Sequence, residues 1–196
     1  MQDIRRIKMK EQVLNRAIFD TPYGKMVALS TGKGLGVLEF IKPNRREMLT
    51  KRLNKWFSNY EIIDDPGDTI AMTGEWLTDY FSGEFERLTT PPLDLRGTEF
   101  ELKVWHALLR IPLGETVTYQ HLAAELGIPK GSRAVGGANR RNPVSLIVPC
   151  HRVIGQNGSL VGYGGGLEVK KALISHERAA ARPPSKGPAG KPPRPL

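Results

Sequence analysis

The sequence has few of the residues that bind metals or form disulfide bonds. It contains a single cysteine, Cys150, and four histidines, none of them within residues 1–97. One thiol cannot form an internal disulfide bond, and so few cysteines are typical of a protein from a reducing compartment. The histidines also lack the spacing of metal ligands. We therefore expect a cytoplasmic protein with no bound metal and no other cofactor.

Long apolar runs are absent as well. No uninterrupted apolar stretch approaches the roughly 20 residues that would span a bilayer. The N-terminal sequence MQDIRRIKMKEQ is charged and lacks the apolar core of a secretory signal. We therefore expect no membrane partner, and we expect the protein to be a monomer.

Positive charge is present in excess, and it is unevenly distributed. The formal net charge is +9, of which residues 1–97 carry +1, residues 98–178 carry +4 and residues 179–196 carry +4. A basic C-terminal half suits a polyanionic partner, because neutralised phosphates release counterions. A basic protein without such a partner remains the alternative on charge alone.

The residue pattern divides the chain into five parts. Three short strands are predicted within residues 16–42, followed by helices at 44–60 and 68–85, where Gly83 ends the second helix. The sequence ERLTTPPLDLRG shows no periodicity and marks a boundary between domains. The predicted parts are an N-terminal arm (1–12), an α/β domain (13–90), a linker (91–97), a mainly helical domain (98–180) and a disordered tail rich in Pro, Lys and Arg (181–196).

Two short helices in the second half form a helix-turn-helix candidate. The first covers 118–127 with Thr118 as its N-cap, and the second covers 131–142 with Ser132 as its N-cap. The second helix carries Arg133, Asn139, Arg140 and Arg141, which are residue types that meet nucleic acid. Its small residues would allow close approach either to DNA or to a neighbouring helix, so the pattern leaves both readings open.

Cys150 lies in the sequence IVPCHRVIG, directly before His151 and Arg152. A thiol is mostly protonated at neutral pH, and a nearby base or positive charge makes it reactive. Neighbouring side chains in an extended segment point to opposite faces, so the thiol and His151 would meet either through a bridging water or through a bend of the backbone at Pro149. Glu177 is a candidate for orienting the imidazole. The alternative is an inert buried cysteine beside a surface histidine.

The motifs around Cys150 resemble those of the O6-alkylguanine-DNA alkyltransferases. PCHRV at 149–153 is similar to the active-site signature of this family, and GETVTYQHLA, SRAVGGANRRNPV, IVPCHRVIGQNGSLVGYGGG and KKALISHE follow in the family's order. The resemblance covers about residues 98–178 and continues more loosely through TPYGKMVAL, GLGVLEF and EWLTDYFSGE. It implies an N-terminal α/β domain with a small antiparallel sheet, similar to ribonuclease H, and a helical domain with a winged-helix-like helix-turn-helix.

The resemblance also implies a role for each site residue. Cys150 would accept the alkyl group, His151 would act as base through a water, and Glu177 would hold the imidazole. Tyr119 would donate a proton to the departing guanine, and Asn142 would stabilise the turn before the active site. Arg133 would enter the base stack as the nucleotide flips out. The other expected DNA contacts are Ala134, Gly136, Ala138, Asn139, Arg140, Arg141 and Arg152. The expected substrate pocket is formed by Pro149, Val153, Tyr163, Gly164 and Gly165.

The function implied by the resemblance is direct reversal of O6-alkylguanine damage in double-stranded DNA, by one irreversible transfer to the cysteine. Activity on O4-alkylthymine is left open. A structural zinc is expected to be absent, because residues 1–97 lack the cysteines and histidines that hold it in some relatives. Two alternatives are a non-catalytic protein that binds the lesion and a helix-turn-helix transcription regulator. The first would show no transfer of alkyl label to protein, and the second would prefer one DNA sequence.

Overall fold

The computed structural model describes residues 12–180, so the predicted tail and all of the predicted arm except Gln12 lie outside the described residues. Within this range, no helix is long and apolar enough to cross a membrane. The strands are β1 (Gln12–Phe19), β2 (Met26–Thr31), β3 (Gly34–Phe40), β4 (Tyr60–Ile63), β5 (Val117–Thr118) and β6 (Val153–Ile154). The helices are α1 (Pro43–Trp56), α2 (Gly67–Ser82), α3 (Glu99–Leu108), α4 (Tyr119–Glu125), α5 (Ser132–Arg140) and α6 (Leu167–Ala180).

The N-terminal half is built on a four-stranded sheet with the order β3-β2-β1-β4. Strands β1, β2 and β3 pair antiparallel as predicted. Strand β4 pairs parallel with β1, so the expectation of a purely antiparallel sheet was wrong. The predicted helix 44–60 ends at Trp56. Its last residues instead enter β4, where Tyr60 and Ile62 pack beside Leu14 on the sheet.

Strand β3 connects the sheet to the second half of the chain. Leu35 N donates to Pro92 O over 2.7 Å, so the predicted linker runs along one end of this strand. At the other end, Leu38 N donates to Pro143 O over 2.8 Å and Ser145 N donates to Leu38 O over 2.7 Å. The segment that leads to Cys150 is therefore fixed against the edge of the sheet. One hydrophobic cluster includes residues of both predicted domains, and their separation stays a prediction.

Of the two predicted helix caps in the second half, Thr118 is confirmed and Ser132 is wrong. Thr98 and Glu101 form a reciprocal capping box at the start of α3. At the start of α4 the Thr118 hydroxyl accepts a single hydrogen bond from His121 N. Ser132 is the first residue of α5 and not its cap, because the N-cap position is Gly131. Trp105 of α3 donates its indole N–H to Ala138 O over 2.9 Å and so holds α5 in place.

Candidate active site

Two tight turns place Cys150 on a short 3-10 helix, residues Cys150–Arg152. Leu146 has a φ of 72°, and Ile147 N donates to Ser145 O across it over 3.0 Å. Cys150 N donates to Val148 O over 2.8 Å across Pro149. Both bonds join residues two apart, which is the pattern of a γ-turn. Such turns bend the chain within one residue, so the backbone that leads to Cys150 is not extended.

The Asn142 side chain holds this segment by hydrogen bonds to its backbone. Its Nδ2 atom donates to Val148 O over 2.8 Å, and its Oδ1 atom accepts from Val144 N over 3.0 Å. The side chain is 2% exposed, and both of its ends are hydrogen-bonded to the backbone that precedes Cys150. These contacts suit the structural role that the resemblance implies for Asn142.

The Cys150 side chain is buried and 5% exposed. Burial raises the pKa of the thiol, and the Asn142 side chain and the charges of Lys170 and Arg45 offset this only in part. The thiol is therefore protonated at neutral pH, and reaction at sulfur needs a base that removes the proton.

His151 has the properties of that base. It is fully buried, and its Nε2 atom lies 2.6 Å from Glu177 Oε1. Because a carboxylate only accepts hydrogen bonds, Nε2 carries the ring proton and Nδ1 is the free acceptor. Within the described residues Nδ1 has no hydrogen-bond partner. Burial lowers the pKa of His151 more than Glu177 raises it, so the imidazole is neutral at pH 7 and can take up a proton.

Glu177 holds four different groups at once. Its carboxylate accepts from Tyr80 Oη over 2.8 Å, from Gly114 N over 3.2 Å and from Arg152 Nε over 2.8 Å, in addition to His151. Burial would raise the pKa of this carboxyl group, but the contacts with His151 and Arg152 outweigh it and hold the pKa well below its usual value. The residue selected from the sequence thus lies beside the imidazole, on α6.

Arg152 lies in the interior, which disagrees with its predicted contact to DNA. Its Nε and Nη2 atoms donate to Glu177, and Nη1 donates to Ile111 O over 2.6 Å. Each of its three nitrogens is therefore bonded within the protein, and the side chain is 11% exposed. A guanidinium ion in this setting neutralises Glu177 and has no free face for a phosphate.

Two of the residues predicted on the DNA-facing side of α5 are also buried. Ala138 is fully buried and Asn139 is 4% exposed, because both face the core and the Cys150 segment. The outer face of α5 and its C-terminal cap present the rest of the predicted set. Arg133, Ala134, Arg140 and Arg141 are exposed, and Gly136 is partly exposed. The Arg141 guanidinium forms an ion pair with Glu101 of α3.

Tyr119 is the first residue of α4, and its hydroxyl accepts a hydrogen bond from Asn139 Nδ2 over 3.3 Å. Burial raises the pKa of Tyr119, and the bond from Asn139 acts in the opposite direction. The same Nδ2 atom lies 3.2 Å from Cys150 O. The Asn139 side-chain amide therefore links the Tyr119 hydroxyl to the backbone carbonyl of Cys150 through two hydrogen bonds.

The predicted substrate pocket is present only as a small cavity of about 10 Å³ beside Cys150. Tyr163 and Gly164 line it, whereas Pro149, Val153 and Gly165 are buried but do not. The other lining residues are Arg45, Asn139, Arg140, Asn142, Ser145 and Gly162. The Tyr163 hydroxyl is buried and has no hydrogen-bond partner within residues 12–180.

Sequence reasoning missed two cations near the thiol. Lys170 is fully buried and donates to Val153 O and Val161 O over 2.7 and 2.8 Å, and burial lowers its pKa to about 8. Its position seven residues before Glu177, on the same helical face, was a usable signal. Arg45 reaches the cavity from α1 and pairs with the buried Glu39 over 2.8 Å. Nothing in the sequence indicated that contact.

The fold and the site together define a helix-turn-helix protein with a buried cysteine against the inner side of its second helix. The family described as the DNA-binding domain of 6-O-methylguanine DNA methyltransferase matches residues 99–179. A methylated-DNA–protein-cysteine methyltransferase of Methanosarcina acetivorans is 41% identical over 161 residues, which cover 82% of this chain and 96% of the relative. The Mycobacterium tuberculosis protein of the same name is 50% identical over 119 residues, 60% of this chain and 70% of the relative.

Solved structures agree with these sequence relatives. A Mycobacterium tuberculosis O6-methylguanine methyltransferase has a TM-score of 0.69 at 36% identity, covering 86% of this chain and 95% of that one. The Mycobacterium tuberculosis OGT in complex with DNA has a TM-score of 0.71 at 36% identity, covering 86% and 94%. The chain belongs to the methylated-DNA–protein-cysteine methyltransferase family, as its motifs predicted.

Proposed function

We propose that the protein repairs double-stranded DNA by moving the alkyl group of O6-alkylguanine to Cys150. The observation that carries this proposal is the buried Cys150, followed in the chain by a buried imidazole that Glu177 fixes in one tautomer. Transfer to sulfur is a displacement at saturated carbon, which suits a thiolate nucleophile. The thioether product is stable, so each molecule reacts once.

The proton of the thiol would pass to His151. Nδ1 is the unprotonated ring nitrogen, and it has no protein hydrogen-bond partner among the described residues, so a solvent molecule would carry the proton to it. Glu177 then stabilises the imidazolium ion, and Arg152 keeps Glu177 ionised throughout. This division of roles resembles other sites in which a carboxylate orients a histidine base.

The substrate base must leave the duplex to reach Cys150. O6 of guanine takes part in base pairing, so the nucleotide has to flip out, which takes a few kcal/mol. The exposed face of α5 would enter the minor groove, where little sequence information is available. Arg133, in the first turn of α5, would fill the space left by the base.

The cavity beside Cys150 must enlarge before a purine can enter. Its volume of about 10 Å³ is close to that of a single water. Gly162, Tyr163 and Gly164 form one side of it, so movement of this loop would admit the base. The remaining expectations, a monomer that needs no metal and works in a reducing compartment, are part of the same proposal. Within residues 12–180, no cluster of three or more His, Cys, Asp or Glu could hold a metal.

Intact-mass measurement after incubation with methylated duplex DNA tests the function. We expect a gain of about 14 Da per chain, from replacement of S–H by S–CH₃ at Cys150, and no second turnover. Cys150→Ala should bind the same DNA and gain no mass. Repair of DNA by Cys150→Ala would refute the proposal, and so would tight binding by the parent protein without any gain in mass. Chelation should leave the mass gain unchanged.

A further inference from the structure

Asn139 is buried between the two groups that take part in the proposed reaction. Its Nδ2 atom lies 3.2 Å from Cys150 O and 3.3 Å from the hydroxyl oxygen of Tyr119. A carbonyl oxygen can only accept, so the NH₂ end of the amide must face Cys150. The orientation of the Asn139 side chain is therefore determined by the backbone of the active-site segment.

That orientation decides the direction of the bond to Tyr119. One N–H of Nδ2 points to Cys150 O, and the other is donated to the Tyr119 oxygen. The tyrosine therefore acts as an acceptor toward Asn139, and its own proton is directed elsewhere. Asn139 also lines the cavity beside Cys150, so the contact is made at the wall of the proposed substrate pocket.

We propose that Asn139 is a positioning residue, which holds the Tyr119 hydroxyl as a proton donor to the departing guanine and stabilises the tyrosinate that results. The role rests on the proposed function. It explains why a polar side chain in the second helix of the helix-turn-helix faces inward, at a position where the residue type alone indicated a DNA contact.

The proposed step balances in atoms and in charge. The S–CH₃ bond forms as the CH₃–O6 bond breaks, and the electron pair of the C–O bond passes to the guanine ring. A ring nitrogen takes the Tyr119 proton, so guanine leaves neutral. The tyrosinate accepts the N–H of Asn139 until solvent returns the proton that the thiol gave to His151. The net change converts a thiol and an alkylguanine into a thioether and guanine.

A double-mutant cycle tests the role through the rate of methyl transfer at saturating duplex DNA. Tyr119→Phe removes a general acid and should slow transfer by about 100-fold. Asn139→Leu, of similar volume, should slow it by about tenfold while the DNA affinity stays within about twofold. In the Tyr119→Phe background, the same Asn139 change should slow transfer by less than about twofold, because its effect passes through the missing hydroxyl.

A matched control separates this effect from general damage. Asn54 forms a hydrogen bond with Tyr60, 3.1 Å long, outside the site, and Asn54→Leu should leave the rate unchanged. Losses that multiply in the double variant would overturn the role of Asn139. Absence of methyl uptake by the parent protein would instead refute the proposed function.

A second measurement does not require the Asn139 variant to fold. The side-chain amide resonances of Asn139 should shift in Tyr119→Phe, because one N–H loses its acceptor. They should shift little in Asn54→Leu, which leaves that contact intact. An Asn139 amide signal that is unchanged in Tyr119→Phe would overturn the proposal, since the bond that defines the role would be absent.

Discussion

At the scale of single residues, Glu177 connects four groups of the site through hydrogen bonds to its carboxylate. Its carboxylate is the acceptor for a tyrosine, a backbone amide, an imidazole and a guanidinium, and it is 1% exposed. Two buried charges are tolerated here because Arg152 and Glu177 neutralise each other with several hydrogen bonds. The same arrangement fixes the His151 tautomer, so one ion pair serves both folding and the proposed chemistry.

Glu177→Gln should destabilise the fold and slow methyl transfer. The amide leaves the Arg152 guanidinium buried without a counter-charge, at about 3–5 kcal/mol. Urea unfolding would measure the loss, with Glu99→Gln as control, because Glu99 forms an exposed pair with Lys103 and its side chain is 84% exposed. Equal stability of the two variants would contradict the importance of the buried pair.

The pH dependence of stability should change in the same variant. Glu177 has a pKa below its unfolded value of about 4.3, so its stabilisation is present above that pH and is lost as the pH falls through the folded pKa. His151, with a lowered pKa, adds a loss that begins below about pH 6.5, where the unfolded state takes up the proton first. Unfolding at a series of pH values should show a shallower acid limb below about pH 4.3 in Glu177→Gln than in the parent. Identical slopes in the two proteins would show that Glu177 is not the group that titrates.

At the scale of elements, the loop that carries Tyr163 packs against Arg45 of α1. A Cβ atom at Gly164 would lie 2.3 Å from Arg45 Nη1, and Arg45 is tied to the buried Glu39. Gly164→Ala should therefore displace either the loop or the ion pair, with a loss of about 1–3 kcal/mol. Thermal unfolding would detect it. Gly32→Ala is the control, since nothing lies within 4 Å of that position, and an equal effect there would exclude the contact as the cause.

Variants at cationic residues in and beside α5 can distinguish an effect on nucleotide flipping from an effect on DNA binding. Arg133→Ala should slow transfer strongly in saturating duplex DNA and leave the slow reaction with free O6-alkylguanine unaffected, because only the duplex needs a side chain to replace the flipped base. Lys130→Ala, at an exposed position in the turn before α5 that does not line the cavity beside Cys150, is the control. A phosphate contact there lowers the salt slope of binding by about one and leaves the saturated rate unchanged. A normal saturated rate in Arg133→Ala would refute the proposal that Arg133 fills the space left by the flipped base.

Local signals in the sequence predicted some of the helix ends, and long-range pairing explains the failures. Thr98, Thr118 and Gly83 mark helix ends through contacts within a few residues. Strand β4 was missed because its partner, β1, is distant in the chain and the pairing is parallel. The interior position of Arg152 was missed for the same reason, since Glu177 approaches it only when α6 packs on the active-site turn. Motifs predict which residues take part in the chemistry, and packing decides which of their neighbours face inward.

At the scale of the whole molecule, positive charge increases toward the C-terminus. Residues 179–196 hold four Lys and Arg and no Asp or Glu. Such a segment adds attraction to any phosphate backbone and carries no sequence preference. The groups proposed to take part in the reaction lie between residues 119 and 177, so charge in residues 179–196 is expected to affect DNA binding and not the chemistry.

Deletion of residues 181–196 should make the salt dependence of DNA affinity shallower and leave the reaction with free O6-alkylguanine unchanged. Each phosphate contact contributes about 0.9 to the slope of log affinity against log salt, so the full loss of four contacts would be roughly 3.6. Affinity measured between low and moderate salt gives the slope. A full-length variant with Arg182, Lys186, Lys191 and Arg194 changed to Gln should match the deletion, because charge and not length sets the effect. An unchanged slope in both variants would show that these residues do not reach the phosphates, whereas a change in the deletion alone would assign the effect to chain length.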